Sequence, residues 1–198
     1  MKLIIAGDTH GHLGHANYLV REAKKNECDR VVQCGDFGYW EHMREGVYFL
    51  DQLNNYCEQN GITFYFIDGN HDKTSMLLER YDNDEHRDEE GFLKVREFVR
   101  YARRGLRWTW DGCRFIALGG AYSVDKDWRL DKECDHVSAD YCTKEKRGRA
   151  EVDDAFAHYG ARQRTHVHKY KPQSLWFPEE EMSDVDMEQI LQSTSDDS

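Results

Sequence analysis

A threefold pattern in residues 1–72 constrains this chain more than any other feature. Lys2 to Ala6 is a short apolar run that ends in Gly7-Asp8-Thr9-His10. Val31-Val32-Gln33-Cys34 ends in Gly35-Asp36, and Ile62 to Ile67 ends in Asp68-Gly69-Asn70-His71-Asp72. Between the runs lie two amphipathic stretches. One, from about His15 to Glu27, places Leu19, Val20 and Ala23 at helical spacing; the other, from about Glu41 to Gln59, places Val47, Leu50, Leu53 and Tyr56 on one face. Strands that alternate with helices of this length predict βαβ units and parallel pairing. All three polar clusters then fall at the carboxyl edge of one sheet, where ligands of such folds collect.

The rest of the chain reads differently. Tyr81 to Glu90 is acidic and reads as a solvated loop. From Val99 onward the pattern turns to strands, with Arg107-Trp108-Thr109-Trp110 and Cys113 to Leu118 flanking Asp111-Gly112, a two-residue hairpin signal. Leu130 to Gln173 nearly balances its basic and acidic residues and reads as an insertion within a single domain of residues 1–198; Glu151 to Tyr159 within it is helical in pattern. After Pro178 comes an acidic helix with Ser183 as its cap and Val185, Met187, Ile190 and Leu191 as its apolar face, followed by a polar tail.

Apolar residues at 39% and aromatics at 13% supply a core for one domain, although the charged fraction is 33%. The formal net charge of −11 opposes a general nucleic-acid-binding surface, which needs Lys and Arg against phosphates. A phosphate-bearing ligand would require bound cations or a local basic patch. The six cysteines contain no C-x-x-C pair, and the apolar run at the N-terminus is too short for a signal peptide or a membrane span. Reduced thiols, a cytoplasmic location and no membrane partner are the expectation. Oligomeric state is not legible.

The side chains at the three strand ends are carboxylates, imidazoles and an amide, a donor set suited to divalent ions such as Mn, Fe or Zn. Asp36, on the central motif, is placed to bridge two ions. Glycines beside the ligands let the backbone turn and approach without a Cβ in the way. One Gly-Asp after a strand is ordinarily a turn, and one His ordinarily a satisfied polar residue. Three such clusters in order point to a site.

These motifs, Asp8-Thr9-His10, Gly35-Asp36 and Gly69-Asn70-His71-Asp72, resemble the D-x-H, G-D and G-N-H-D/E motifs of the calcineurin-like metallophosphoesterases. The resemblance covers residues 1 to about 129, and the stretch from Arg107 to Ser123 is similar to a small branch common in bacteria and phages. It implies an α/β fold, the metallophosphoesterase-type αββα sandwich. It implies two divalent metal ions (Mn, Fe, Ni or Zn), with Asp8 and His10 on the first, Asp36 bridging, Asn70 on the second and His71 as the catalytic acid or transition-state donor. Two such ions activate a water for in-line attack on phosphorus.

The sequence departs from that pattern in two places. The family completes its site with three later histidines, including a G-H-x-H. Here Trp176 to Ser183 resembles the segment that follows Trp128-Arg129 in this branch, so the chain is expected to be short at its C-terminus, with Leu130 to Gln173 inserted. His166 and His168 have the H-x-H spacing but no preceding glycine; they are candidates to complete the metal site, or to join Cys134 and Cys142 in a structural zinc site, or plain loop residues. Secondly, Gly35-Asp36-Phe37-Gly38-Tyr39-Trp40 lacks the second Asp and the Arg of the protein phosphatase motif, and Asp72 stands where those enzymes have Glu. Both features favour the phosphodiesterase side over protein dephosphorylation, and a nucleotide or nucleic-acid phosphodiester is the expected substrate. Tyr39 and Trp40 are either core residues or a stacking platform for a base. The alternative from another class is a catalytically impaired member that acts as a binding or regulatory module.

Overall fold

The computed structural model describes residues 1–39, 41, 43–121 and 182–192. The chain divides into two compact units, Met1–Tyr122 with Glu179–Ser198, and Ser123–Pro178; the described residues belong to the first. The predicted insertion, its helix at 151–159 and the residues Cys134, Cys142, His166 and His168 lie outside the described residues.

Strands β1 (Leu3–Ala6), β2 (Arg30–Cys34) and β3 (Thr63–Ile67) pair in parallel in that order, with Ile5 opposite Val32 and Val32 opposite Tyr65. Helices α1 (Leu13–Lys25) and α2 (Arg44–Asn60) are the two crossovers. The side chain of His12 caps α1, its Nδ1 accepting the His15 amide at 3.0 Å, while Lys24 and Lys25 complement the dipole at the other end. Gly61, left-handed at φ 67°, ends α2. After helix α3 (Thr74–Tyr81), strand β4 (Leu93–Arg96) leads into β5 (Val99–Tyr101). β5 pairs parallel to β3, and β4 lies antiparallel outside it, giving the sheet order β1-β2-β3-β5-β4.

The central strands β2 and β3 are buried on both faces, whereas Ile5 of β1 is 67% exposed and β4 alternates buried Leu93 and Val95 with Lys94 and Arg96. In β3, Phe64 and Phe66 enter one core with Ala16, Val20, Leu50 and Leu53 of the crossover helices. Tyr65 and Ile67 alternate to the other core, under the hairpin of β6 (Arg107–Trp110) and β7 (Cys113–Ile116). Asp111 and Gly112, at φ 52° and 79°, both take the left-handed conformation that a tight hairpin turn needs. Trp108 and Trp110 pack edge-to-face on Phe92 and Tyr65. Helix α4 (Asp184–Gln192) begins directly after Ser183, and its Ile190 carbonyl accepts from the Arg107 guanidinium at 2.7 Å. The result is a mixed α/β fold with a parallel-dominated sheet flanked by helices, as the metallophosphoesterase resemblance implies.

Two elements, α3 and β4, lie outside the sequence reading: α3 is eight residues long with no side-chain cap, and the short Leu93–Arg96 alternation of β4 follows the acidic stretch with no turn signal as specific as Asp111-Gly112. The acidic segment expected as a solvated loop is also tied down. Tyr81 is buried as the last residue of α3, Asp88 pairs with Arg100, and Glu90 accepts from the Trp110 indole at 2.9 Å.

A buried carboxylate joins the loop before α2 to α3 and β4. Glu41 accepts from the hydroxyls of Tyr39 and Tyr81 at 2.7 and 2.6 Å and from Arg96 at 2.9 Å. Burial would raise its pKa, but the hydrogen bonds from Tyr81, Tyr39 and Arg96 outweigh that and hold it below the usual value. Glu41→Gln, which removes the charge facing Arg96, should lower unfolding free energy at pH 7 by about 2–4 kcal/mol. Because the folded-state pKa is depressed, this contribution is complete above pH 4.5 and is lost as pH falls through the folded-state value. Urea denaturation of both proteins at pH 7 and in acid should therefore show the gap between them closing below pH 4.5.

Candidate metal centre

The parallel register brings the ends of β1, β2 and β3 to one level, so the three polar clusters meet there. Donor atoms of Asp8, His10 and Asp36 all lie within 4.8 Å of one another. His10 Nε2 is 3.7 Å from Asp8 Oδ2 and 3.8 Å from Asp36 Oδ2. Asp8 and His10 are exposed, whereas Asp36 is largely covered. Asn70 lines the same pocket as Asp8 and Asp36, a cavity of about 440 Å³. The His71 amide donates to Asp36 Oδ1 at 3.0 Å, and its ring stands edge-on to His10 with centroids 5.5 Å apart. All five residues singled out from the sequence thus gather at the carboxyl edge.

The backbone there is held in an unusual form. His10 and Asp36 take left-handed φ values of 46° and 50°, a conformation that costs energy for any residue with a Cβ. Gly69 packs so closely on Asp36 that a Cβ would overlap its carboxylate and amide. Gly38, at φ 93°, lies against Gly11 with the same consequence. The strain is sustained by hydrogen bonds that join the strand ends. Thr9 and His10 amides donate to the Asp36 carbonyl at 3.1 and 2.8 Å, and the Thr9 hydroxyl donates to the Phe37 carbonyl at 2.9 Å. Gln33, fully buried, donates through Nε2 to the Gly7 and Gly35 carbonyls, tying the residue before Asp8 to the residue before Asp36.

Asp72 is the centre of this framework. Its fully buried carboxylate accepts four amide N–H groups: Phe37 and Gly69 at 2.9 Å, Gly38 and Tyr39 at 2.7 Å. Burial pushes its pKa up, and the four amides oppose that by favouring the charged form. A second buried aspartate, Asp68, accepts from Tyr101 at 2.7 Å and Thr74 at 3.0 Å and pairs with Arg104 at 2.6 Å. Neither Gln33 nor Asp68 was singled out by sequence. The one available signal was a polar residue within or closing an apolar strand. Tyr39 is fully buried with its hydroxyl on Glu41, so it belongs to the core and offers no face to a base; Trp40 lies outside the described residues.

Two carboxylates and an imidazole at these separations, with an amide side chain on the same pocket, fit a divalent cation by donor type. An α/β fold that gathers such donors beyond the ends of parallel strands has the build of a metal-dependent phosphoesterase. The chain belongs to the calcineurin-like phosphoesterase family, whose sequence model matches residues 1–190. The match runs well past the region in which motifs are readable by eye. Members of this family generally bind divalent metals and hydrolyse phosphoesters. No curated protein matches the chain. Among the described residues, no helix is long and apolar enough to cross a membrane.

Asp72→Asn puts an amide donor where four backbone donors converge. It should cost about 3 kcal/mol or more in unfolding free energy. Gly69→Ala, whose Cβ would fall on the Asp36 amide and carboxylate, should also lower unfolding free energy, and in the folded fraction it should displace the Asp36 carboxylate. Calorimetric titration with Mn should then show affinity reduced by about tenfold or more.

Proposed function

We propose that this protein is a metal-dependent phosphodiesterase that hydrolyses a nucleotide or nucleic-acid phosphodiester. The observation that carries the reading is the approach of the Asp8, His10 and Asp36 donor atoms to within 4.8 Å in a backbone that is strained at two of the three. Asp8 and His10 would hold one divalent ion, Asn70 a second, and Asp36 both. Bound there, such ions supply Lewis-acid charge to the phosphoryl oxygens and make water a nucleophile near neutral pH. Manganese is the first metal to test.

The chain's own residues then have distinct tasks. Asp36 Oδ1 accepts from the His71 amide and Oδ2 lies 3.8 Å from His10 Nε2, so the carboxylate is oriented toward the cluster where it would serve as a ligand. The same hydrogen bond fixes His71 at the edge of the cluster, where its ring can donate a proton or hydrogen bond to the leaving oxygen. The Asp72 and Gln33 bonds hold these groups in place before substrate arrives, which is the condition for electrostatic stabilisation. The absence of the second Asp and the Arg from the motif at Gly35-Asp36 supports a diester over a phosphoprotein.

The test is release of 4-nitrophenol from bis(4-nitrophenyl) phosphate with Mn, Ni, Fe or Zn. Asp36→Asn should abolish both turnover and tight ion binding. His71→Ala should lower kcat by about a hundredfold or more while ion binding in calorimetry stays close to wild type. Ion binding without turnover for any of the four metals would refute the proposal and favour a binding or regulatory role.

A further inference from the structure

The pocket beside the cluster is two-sided. One wall carries Asp8, Asp36 and Asn70; the other is aliphatic, built from Ile67 at the end of β3 and from Ile116, Leu118 and Ala121 at and beyond the end of β7. Ile116 and Leu118 are 36% and 48% exposed, while Ala117 between them is fully buried. Alternation along the extended chain thus turns Ala117 into the core and both larger side chains to the cavity. At these exposures the two branched side chains keep apolar surface in contact with water beside a polar centre. A covering apolar group would recover that burial.

The volume of about 440 Å³ falls within the range of about 300–1,000 Å³ that holds a drug-sized ligand. A phosphoryl group on the ions would leave most of it for something larger. The charge lining the pocket limits what that can be. Among the described lining residues there is no Lys or Arg, and the third carboxylate, Asp68, is committed to Arg104 and Tyr101. Further phosphates, as in a polynucleotide or a nucleoside polyphosphate, would meet carboxylates without a cationic side chain to receive them.

Resting on the phosphodiesterase reading, we propose that Ile67, Ile116 and Leu118 form the subsite for a ring on the group that stays bonded to phosphorus. The substrate class is then a small phosphodiester with a single negative charge and one nucleobase or aryl ring. Water adds to phosphorus, the bond to the leaving oxygen breaks, and that oxygen departs with a proton. The products are an alcohol or phenol and the ring-bearing monoester.

The experiment compares two diesters that share a leaving group: thymidine 5′-(4-nitrophenyl) phosphate and methyl 4-nitrophenyl phosphate, on the Mn-loaded full chain. The thymidine ester should show a KM about tenfold lower than the methyl ester. Leu118→Asn, close to leucine in shape but polar, should bring that ratio to near one. Val185→Asp, at a position 61% exposed on α4 and absent from the pocket lining, should leave the ratio as in wild type. Equal KM values for the two esters in wild type, or a ratio that Leu118→Asn leaves intact, would overturn the subsite. No release from either ester with any ion would overturn the phosphodiesterase reading itself, and the subsite with it.

Discussion

Four backbone amides converge on the carboxylate of Asp72, and the other distances in the site depend on that contact. Three of the amides belong to Phe37, Gly38 and Tyr39, directly after Asp36, and the fourth to Gly69, directly before Asn70. The carboxylate therefore welds the loop after β2 to the loop after β3. The two cannot shift apart without taking amide donors from a fully buried carboxylate, and a buried charge left uncompensated costs on the order of several kcal/mol. That penalty is what allows His10 and Asp36 to remain left-handed. It also lets Gly69 lie against Asp36 at a separation no other residue would tolerate.

The two faces of the sheet divide the work. On the helical face, Phe37 stacks on Phe66 and lies tilted against Phe64 beneath α1 and α2, and the Glu41 network ties α3 and β4 to the loop that carries Asp36. On the other face, the hairpin covers Tyr65 and Val32 with tryptophans, then runs out past the strand ends, where Ile116 and Leu118 become the wall of the pocket. Asp68 fastens that wall to the loop after β3, since the Gly120 amide donates to its carbonyl at 2.9 Å and its carboxylate holds Arg104. The polar cluster and the aliphatic wall are thus joined through Asp68. A chain with net charge −11 can in this way present an anion site whose positive charge would come from ions held by its own aspartates.

The readable parts of the fold were those with a strong local period. The strand–helix alternation of residues 1–72, the Asp111-Gly112 hairpin and the helix after Ser183 all have enough residues, or specific enough turn chemistry, to register. α3 and β4 do not, and the acidic segment between them looked solvated because its ion pairs to Arg100 and Arg87 are invisible in one dimension. For Tyr39 the sequence left core residue and stacking platform both open. Burial against Glu41 decided in favour of the core.

By itself the sequence determined the parallel sheet and the five polar residues at its carboxyl edge, because period and glycine placement are local properties. The motif spelling at Asp8, Asp36 and Asn70 likewise carried the family. The tertiary structure decided how those residues are held. Gln33 joins two strand ends and Asp72 joins two loops through hydrogen bonds to backbone groups, and backbone partners leave no imprint on side-chain pattern. It also decided that Ile116 and Leu118 face the pocket, since the same alternating run would serve equally in a closed core. Only the packing of the hairpin on the sheet tells which side stays open.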